Sequence, residues 1–231
     1  SVSLNKPKKN RFINKVNYLK IDITKLDKLK KKLKSSYTYV VNLGGYVDHN
    51  SFNTNKDKII KAHFLGVINL TRILSNKKIK RFVQVGSSME YGNIKAPQRE
   101  NSYCSASSPY ALAKLASTEY LLMLFNAKKF PATILRFFQV YGPAQDQNRI
   151  LPQIIKGCIN NKSFAASKGE QIRDFCFIDD VIQAIFLALK SNKANGEIFN
   201  IGSGKPQKIK NIIKKICKIV GGGKPQFGKI K

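Results

Sequence analysis

The sequence has few of the residues that build metal centres and disulfide frameworks. Its 231 residues include two histidines, His49 and His63, and four cysteines, none of which form a C-x-x-C pair. Two histidines argue against a histidine-based metal centre. Widely spaced cysteines are typical of free thiols in a reducing compartment. We therefore expect a cytoplasmic protein without a metal ion, whose thiols stay free at Cys104, Cys158, Cys176 and Cys217.

Long apolar runs and acidic residues are also scarce. The longest apolar run, YLLMLF at residues 120–125, is far too short to span a bilayer. Only 13 Asp and Glu accompany 42 Lys and Arg, which gives a formal net charge of +29. Nucleic-acid binding predicts a basic patch with arginines near aromatic residues, whereas this excess is almost wholly lysine and is spread along the chain. We therefore expect neither a membrane span nor a nucleic-acid partner. We interpret the charge as a solvated lysine coat, and the alternative is that it attracts anionic ligands through the summed field.

Apolar residues make up 42% of the sequence, which is enough for one large core or two small ones. Short β-rich runs alternate with helical patterns in the first part of the chain. The strand candidates are YTYVVNL (37–43), RFVQVGSS (81–88) and ATILRFFQV (132–140), and helical patterns separate them at about 54–76 and 109–129. Two helix-length crossovers between consecutive strands indicate an α/β fold with a doubly wound parallel sheet.

The pattern changes after Pro143. LPQIIKGCINNKSF (151–164) predicts a helix and a turn, RDFCFI (173–178) a strand, and DDVIQAIFLALKS (179–191) a helix. FNIGSG (199–204) predicts a strand that enters a glycine turn, and KIKNIIKKICKIVGGG (208–223) an amphipathic helix stopped by glycines. We therefore divide the chain softly into 1–142 and 143–231, with segments that can interleave.

The stretch SSPYALAK (107–114) places Tyr110 and Lys114 one helical turn apart, on the same face of a helix. The pair is either a proton-transfer device or two ordinary helix positions. A phenol with a pKa near ~10 is a poor base at neutral pH. A neighbouring ammonium group favours the phenolate and so makes it a better one.

Taken in order, the segments VVNLGG, GSSMEYG, PYALAK, LRFFQVYGP, RDFCFIDDV and FNIGSG resemble the extended short-chain dehydrogenase/reductases that act on nucleotide sugars. Each segment is weak alone, but together they cover nearly the whole chain. The resemblance implies a partial Rossmann-like dinucleotide-binding domain in 1–142 and a smaller nucleotide-sugar-binding region in 143–231. It also implies NAD or NADP as cofactor, a nucleotide-sugar substrate, and a homodimer through a helical bundle that includes the Tyr110 helix.

The same resemblance assigns roles to individual residues. Tyr110 would move a proton as a hydride moves, Lys114 would share the cofactor ribose, and Ser87 would hold the substrate oxygen. Cofactor contacts are implied for Asp22, Ile23, Leu43, Gly44, Gly45 and Phe137, besides Tyr110 and Lys114. Substrate contacts are implied for Ser88, Met89, Glu90, Gln139 and Arg173.

Several of these residues have a structural alternative. Asp22 is either the acceptor for the adenine amino group or an N-cap for the following helix. Gly44 and Gly45 either let the backbone approach the cofactor closely or form a plain turn. Arg173 pairs with the substrate diphosphate or with a carboxylate of the protein.

The sequence departs from the family at its start. No G-x-x-G-x-x-G turn, which would hold the cofactor pyrophosphate, is found near residue 1, where the sequence reads SVSL. We therefore expect a fragment that lacks the first strand, its helix and part of the C-terminal region, and whose sheet has an unpaired internal edge; a naturally truncated protein is the alternative. Where NAD-preferring members carry an acid, this chain has Ser3 and Asn5 followed by lysines, which slightly favours NADP.

Met89 decides which reaction we expect. Alignment of Tyr91 and Gly92 with the family's 4,6-dehydratases places Met89 on their catalytic glutamate and Glu90 on an apolar position. Dehydration needs an acid and a base that methionine cannot supply, so a 4-epimerase or a 4-keto-sugar reductase is favoured. A bulge that turns Glu90 inward would restore the dehydratase, and a non-catalytic dinucleotide- or RNA-binding member of the fold is the other alternative. His63 and Gln139 also stand where many family members carry asparagine.

Overall fold

The computed structural model describes residues 1–7, 9–33, 36–45 and 56–230. The chain forms two compact units. Unit 1 comprises Ser1–Arg136 and Ile185–Asn200, and unit 2 comprises Phe137–Ala184 and Ile201–Lys231. The units change at Phe137, at Ile185 and at Ile201, and the division into cofactor- and substrate-binding parts at residue 142 stays a prediction.

The strands, in chain order, are β1 Val2–Ser3, β2 Leu19–Lys20, β3 Tyr39–Asn42, β4 Arg81–Ser87, β5 Ala132–Phe137, β6 Gln139–Tyr141, β7 Ser163–Ala166, β8 Ile172–Arg173, β9 Phe175–Phe177, β10 Ile198–Ile201, β11 Gln207–Lys208 and β12 Lys224–Phe227. The helices are α1 Leu26–Lys32, α2 Lys56–Ile60, α3 Gly66–Leu74, α4 Pro109–Lys128, α5 Ile150–Ile159, α6 Ile178–Lys190 and α7 Ile209–Val220.

A parallel sheet with the strand order β10-β5-β4-β3 forms the centre of unit 1. β3 and β4 pair in parallel, with Val40 opposite Phe82 and Asn42 opposite Gln84. β4 is buried over almost its whole length, as expected for an apolar strand that helices cover on both faces. The α/β fold with a parallel sheet that the alternating pattern predicts is confirmed, and so is the Rossmann-like form that the family resemblance implies.

The predicted strand 132–140 divides in two. β5 ends at Phe137, and the chain then forms β6, which pairs in parallel with β9. The backbone N–H of Gln139 donates to the Asp174 carbonyl oxygen at 3.0 Å, so the second half of the predicted strand belongs to unit 2. The predicted strand 173–178 is similarly shared between β8 and β9.

β3 is the edge of the four-stranded sheet within the described residues, while β1 and β2 form a separate parallel pair. Both groups of strands still contribute to one apolar core, in which Val2 and Ile21 pack with Phe82 and Ile134.

Capping residues mark both ends of α4. Pro109 occupies its first turn, and the Ser108 side chain caps the helix by accepting a hydrogen bond from the Ala111 N–H at 3.2 Å. The helix ends at Lys129, whose φ of 54° is left-handed. Between 115 and 125, where we expect an outer apolar face for dimer formation, Leu121 is buried and Met123 is exposed. The dimer itself stays a prediction.

α2 and α3 form one helix without a break, but its middle turn, Lys61–Leu65, is wider than the rest. In this turn the hydrogen bonds span five residues instead of four. The helix predicted from the periodicity at 54–76 covers this segment, and residues 54 and 55 lie outside the described residues. α4 packs against α2 and against the wide turn.

Unit 2 has its own apolar core between α5 and α7. Ile154 and Cys158 of α5 meet Ile209 and Ile213 of α7 there, together with Ala166. Three pairs of short strands surround this core: β7 with β12 and β6 with β9 in parallel, and β8 with β11 antiparallel.

No described helix is both long enough and apolar enough to cross a membrane. Among the described residues there is also no cluster of three or more His, Cys, Asp or Glu side chains that could bind a metal ion.

Candidate active site

Tyr110 and Lys114 lie on the inner face of α4. The cap at Ser108 fixes the first turn of this helix, so both side chains point into unit 1. They are buried, with 7% and 4% of their surfaces exposed. The Lys114 ammonium nitrogen is 5.8 Å from the centre of the Tyr110 ring. The predicted one-turn spacing therefore brings a phenol and an ammonium group together inside the protein.

The Lys114 ammonium group is held at the end of β4. Its Nζ donates a hydrogen bond to the Val85 carbonyl oxygen at 2.7 Å. Burial lowers the pKa of Lys114 to about 8, and the negative charge of Glu90 opposes that effect in part. An ammonium group has three N–H donors, and within the described residues only this one is used. The other two can serve acceptors such as the hydroxyls of a ribose.

Ser87 ends β4 and caps the short 3₁₀ turn Ser88–Tyr91. Its Oγ accepts a hydrogen bond from the Met89 N–H at 3.2 Å, while its own N–H donates to Glu90 Oε1 at 2.8 Å. This reciprocal arrangement is a capping box, and it fixes the direction in which the chain leaves the strand. Ser87 thus lies two residues beyond the carbonyl that holds Lys114. Ser88 and Met89, both predicted substrate contacts, are half-buried in the turn.

Glu90 faces the interior of unit 1. Its Oε1 accepts from the Ser87 N–H, and its Oε2 accepts from Arg136 Nε at 2.8 Å and from Thr118 Oγ1 at 2.9 Å. The expectation that Glu90 contacts the substrate is therefore not supported, because both carboxylate oxygens are used within the protein. The same contacts argue against a dehydratase in which Glu90 replaces the missing catalytic glutamate.

Arg136 extends a buried network behind the strand end. Its guanidinium lies 4.6 Å from the centre of the Tyr91 ring, and Nη1 donates to the Glu100 carbonyl oxygen at 3.3 Å. The Tyr91 hydroxyl donates to Asn200 Oδ1 at 2.8 Å. Burial disfavours the charge of Arg136, but Glu90 and Tyr91 outweigh it and raise the pKa of the guanidinium. The sequence analysis did not predict this network. The signal that could have indicated it was the position of Glu90 and of Arg136, each inside an apolar segment where a charged side chain needs a partner.

Gly45 makes room for His63. Its φ is +115°, and a Cβ atom added there would lie 2.0 Å from His63 Cε1. The His63 ring meets the Tyr110 ring edge to face, with 5.0 Å between their centres. The observed reason for a glycine at this position is thus a side chain of the protein, and that side chain in turn orders the candidate catalytic tyrosine. Close approach of a cofactor to this turn stays a prediction.

A buried pair of amides connects the same turn to β4. Asn42 Nδ2 donates to Gln84 Oε1 at 2.8 Å, and Asn42 Oδ1 accepts from the Gly44 N–H at 3.0 Å. Gln84 Nε2 donates to the Val85 carbonyl oxygen at 3.0 Å, which is the acceptor that Lys114 also uses. A chain of hydrogen bonds therefore runs from the glycine turn to the ammonium group. A Cβ at Gly44 would approach Asn42 Oδ1 to 2.8 Å and disturb it.

Asp22 closes a turn rather than capping a helix. Its Oδ1 accepts from the Thr24 N–H at 2.9 Å and from the Thr24 hydroxyl at 2.7 Å. The N-cap of α1 is Lys25, which makes no side-chain capping bond, so the N-cap alternative for Asp22 is wrong. Ile23 is half-buried beside the glycine turn, and Leu43 is largely exposed. The predicted cofactor contacts of these residues remain predictions.

The wide turn of the α2–α3 helix provides a further contact with α4. The Ser117 hydroxyl donates to the His63 carbonyl oxygen at 2.7 Å and also lies 2.8 Å from the Ala113 carbonyl oxygen. A widened turn exposes a carbonyl that a regular helix would use, and such turns are frequent at functional sites. Ser117 lies three residues beyond Lys114, so this bond ties the helix that carries the candidate catalytic pair to the helix that carries His63.

The remaining predicted site residues belong to unit 2. Phe137 is half-buried at the start of the unit, and the side chain of Gln139 is exposed on β6. Arg173 is exposed on β8, where its Nη1 donates to the Ile172 carbonyl oxygen. It makes no ion pair in the described part of the chain, so the salt-bridge alternative is not observed.

Asp174 holds the late glycine turn that the sequence predicts. Its Oδ1 accepts from the Ser203 N–H at 2.7 Å, and its Oδ2 accepts from the Gly204 N–H at 2.8 Å. Elsewhere in unit 2, a cavity of about 380 Å³ is lined by the loop after β6 and by one face of α5.

Comparison with known proteins places these observations in context. The sequence model of the NAD dependent epimerase/dehydratase family matches residues 2–202. A dTDP-D-glucose 4,6-dehydratase of Dictyostelium discoideum is 25% identical over 199 residues, which are 80% of this chain and 46% of that protein. A UDP-glucuronate 4-epimerase of Thermodesulfobacterium geofontis is 27% identical over 208 residues, which are 88% of this chain and 64% of that protein. The chain thus spans about half to two thirds of the length of these curated relatives.

A solved structure agrees with the fold. The UDP-glucuronic acid 4-epimerase from Bacillus cereus, in complex with UDP-glucuronic acid and NAD, superposes with a TM-score of 0.81 at 27% sequence identity. The match covers 92% of this chain and 68% of that structure.

Proposed function

This chain belongs to the NAD dependent epimerase/dehydratase family, and we propose that the complete protein is an NAD(P)-dependent nucleotide-sugar 4-epimerase or 4-keto-sugar reductase. The observation that carries the proposal is the buried Tyr110–Lys114 pair at the end of β4. The family contains nucleotide-sugar epimerases and dehydratases. Met89 and the inward-facing Glu90 favour the reactions that need no elimination of water.

In the proposed reaction Tyr110 exchanges a proton with the hydroxyl or ketone oxygen of the sugar. The cofactor, when bound, accepts or supplies the hydride at the carbon that bears this oxygen. The positive charge of Lys114, 5.8 Å from the phenol ring centre, favours the phenolate form of Tyr110. Ser87 donates a hydrogen bond to the sugar oxygen and holds it for the transfer. The His63 ring, packed against Tyr110, restricts where the phenol can point.

The residues present fit a nicotinamide dinucleotide. The strongest sign is the buried ammonium group of Lys114, which uses one of its three donors among the described residues, because a ribose offers two neighbouring hydroxyl acceptors. NADP is favoured over NAD, since β1 ends in Ser3 and is followed by Asn5 and Lys6 in place of an acid. Titration with NADPH and NADH, followed by nicotinamide fluorescence, tests this preference. Tighter binding of NADH would contradict it.

Replacement of Tyr110 by phenylalanine tests the reaction itself. Loss of a positioned acid or base typically costs about 10²- to 10⁴-fold in rate. We expect Tyr110→Phe in the complete protein to lose turnover to this extent on UDP- and dTDP-linked hexoses or their 4-keto forms, while cofactor affinity is retained. Tyr103→Phe is the matched control, because Tyr103 is 81% exposed and has no assigned role.

Three outcomes separate the candidate functions. Full turnover by Tyr110→Phe would refute the proposed mechanism. Release of a 4-keto-6-deoxy sugar nucleotide by the unchanged protein would identify a 4,6-dehydratase and refute the assignment based on Met89. A folded protein that binds cofactor but turns over none of these substrates would favour the non-catalytic alternative.

A further inference from the structure

Two thiols meet in the core of unit 2. The Sγ atoms of Cys158 on α5 and Cys217 on α7 are 3.4 Å apart, although the residues are separated by 59 positions in the sequence. The other two cysteines have no thiol neighbour among the described residues: Cys104 contacts the Ser102 carbonyl oxygen, and Cys176 contacts that of Phe177. The pair is therefore a specific product of the packing of α5 on α7.

The two thiols are not equally accessible. Cys158 is only 1% exposed, whereas Cys217 is half-buried. The glycine turn after α7 lies against Cys158 so closely that a Cβ at Gly223 would be 2.8 Å from its sulfur. Burial, followed by the hydrogen bond with Cys217, raises the pKa of Cys158 to about 11. A reagent in solution therefore reaches Cys217 first.

Both cysteines are free thiols in the structure, as their spacing predicts. We propose that on oxidation Cys158 and Cys217 form a reversible disulfide that ties α5 to α7. A disulfide bond is about 2.05 Å long, so the sulfurs need to approach each other by about 1.4 Å. Both residues lie on helices whose apolar faces already pack together, so the contact exists before any bond forms.

The oxidation runs through two exchange steps with a low-molecular-weight disulfide such as oxidised glutathione. In the first step the Cys217 thiolate attacks one sulfur of the reagent, whose S–S bond breaks and releases one glutathione thiolate. In the second step the Cys158 thiolate attacks the Cys217 sulfur of the mixed disulfide and releases the second glutathione. The protein loses two protons and two electrons, and the reagent gains them as two glutathione thiols.

Such a bond acts on the cavity of unit 2. One face of α5 carries Cys158, and another face supplies Ile155, Lys156 and Ile159 to the lining of the cavity of about 380 Å³. A covalent tie to α7 would hold this cavity wall in place. The proposal does not depend on the proposed enzymatic function, because none of these residues has a role in it.

The test is to incubate the chain with oxidised glutathione, to block the remaining thiols with iodoacetamide, and then to map the peptides. Before blocking, we expect a protein that is lighter by two hydrogen atoms. After blocking, we expect a Cys158–Cys217 cross-linked peptide and blocked thiols at Cys104 and Cys176. Dithiothreitol should restore all four thiols. A mixed disulfide that persists at Cys217, an unreacted pair, or a cross-link to Cys104 or Cys176 would overturn the proposal.

Variants separate the two steps. Cys158→Ser should stop at a stable glutathione adduct on Cys217, and Cys217→Ser should leave Cys158 unreacted. Cys104→Ser is the matched control and should form the cross-link as the unchanged chain does. On oxidation, the midpoint temperature of thermal unfolding should rise for the unchanged chain and for Cys104→Ser, and for neither of the other two variants. An equal rise in Cys158→Ser would also contradict the proposal. Because the mapping uses the unchanged chain, a variant that fails to fold does not prevent the test.

Discussion

Replacement of Lys114 by methionine should make the protein more stable at neutral pH. Lys114 is a charged group that is 4% exposed, and no carboxylate contacts its Nζ directly in the described residues. Methionine has a similar length and volume and needs no solvation. The substitution leaves the Val85 carbonyl oxygen with one partner, because Gln84 Nε2 still donates to it at 3.0 Å. No buried backbone acceptor is orphaned by the change.

The size of the gain follows from the pKa of Lys114, which burial lowers from 10.5 to about 8. At about 1.36 kcal/mol for each pKa unit, the buried charge costs about 3 kcal/mol. Below about pH 8 both the folded and the unfolded states carry the proton, so the full cost is present. Between pH 8 and 10.5 the unfolded state binds more protons, so the stability of the unchanged protein rises with pH. The advantage of Lys114→Met should therefore be about 3 kcal/mol at pH 7 and should shrink as the pH approaches 10.5.

Urea denaturation between pH 7 and pH 10 measures this difference directly. Lys128→Met is the matched control, because Lys128 lies on the same helix and is exposed. That control should stay within about 0.5 kcal/mol of the unchanged protein at every pH. The reasoning would be refuted if Lys114→Met were less stable at pH 7, or if its gain did not decline with rising pH. Loss of turnover in the same variant would show that the buried charge is kept for function at the expense of stability.

Two further substitutions test contacts behind the site. Glu90→Val should lower the free energy of unfolding by about 3–5 kcal/mol in urea, because it leaves the Arg136 guanidinium buried without a counter-charge; a loss below 1 kcal/mol would mean that the pair contributes little. Gly45→Ala should cost about 1–3 kcal/mol and shift the near-ultraviolet circular dichroism of Tyr110, because the new Cβ displaces the His63 ring. Gly221→Ala is the control, because Gly221 also has a positive φ, of +76°, but a Cβ there would meet no atom within 4 Å; an equal loss in both variants would contradict the steric argument.

The sequence predicted those features that depend on neighbours along the chain. The strands around Val40, Phe82 and Ile134 were recognisable because buried parallel strands carry branched apolar residues, and β3, β4 and β5 are found there. The spacing of Tyr110 and Lys114 placed both side chains on one face, since a helix fixes that geometry locally. These two signals account for the fold and for the centre of the candidate site.

The features that were missed depend on contacts between distant parts of the chain. Glu90 was predicted to contact the substrate, whereas in the 3₁₀ turn after Ser87 both of its carboxylate oxygens bond within the protein. Its partner Arg136 is 46 residues away, and that pairing leaves no trace in the local sequence. The contact of Gly45 with His63, and that of Cys158 with Cys217, likewise exist only after the helices have packed.

The wide turn at Lys61–Leu65 also changes how this stretch of sequence should be compared with others. Ile59, His63 and Val67 are all buried, at a constant interval of four residues. In a regular helix that interval advances each side chain by about 40° beyond a full circle, so the three would spiral off a common face. The wide turn absorbs this surplus and aligns them. A helical wheel drawn with a uniform step misplaces one end of the segment, and an alignment with a protein that has a straight helix here needs a one-residue gap between Ile59 and Val67. The wide turn thus holds one residue more than a regular helical turn would, without breaking the helix.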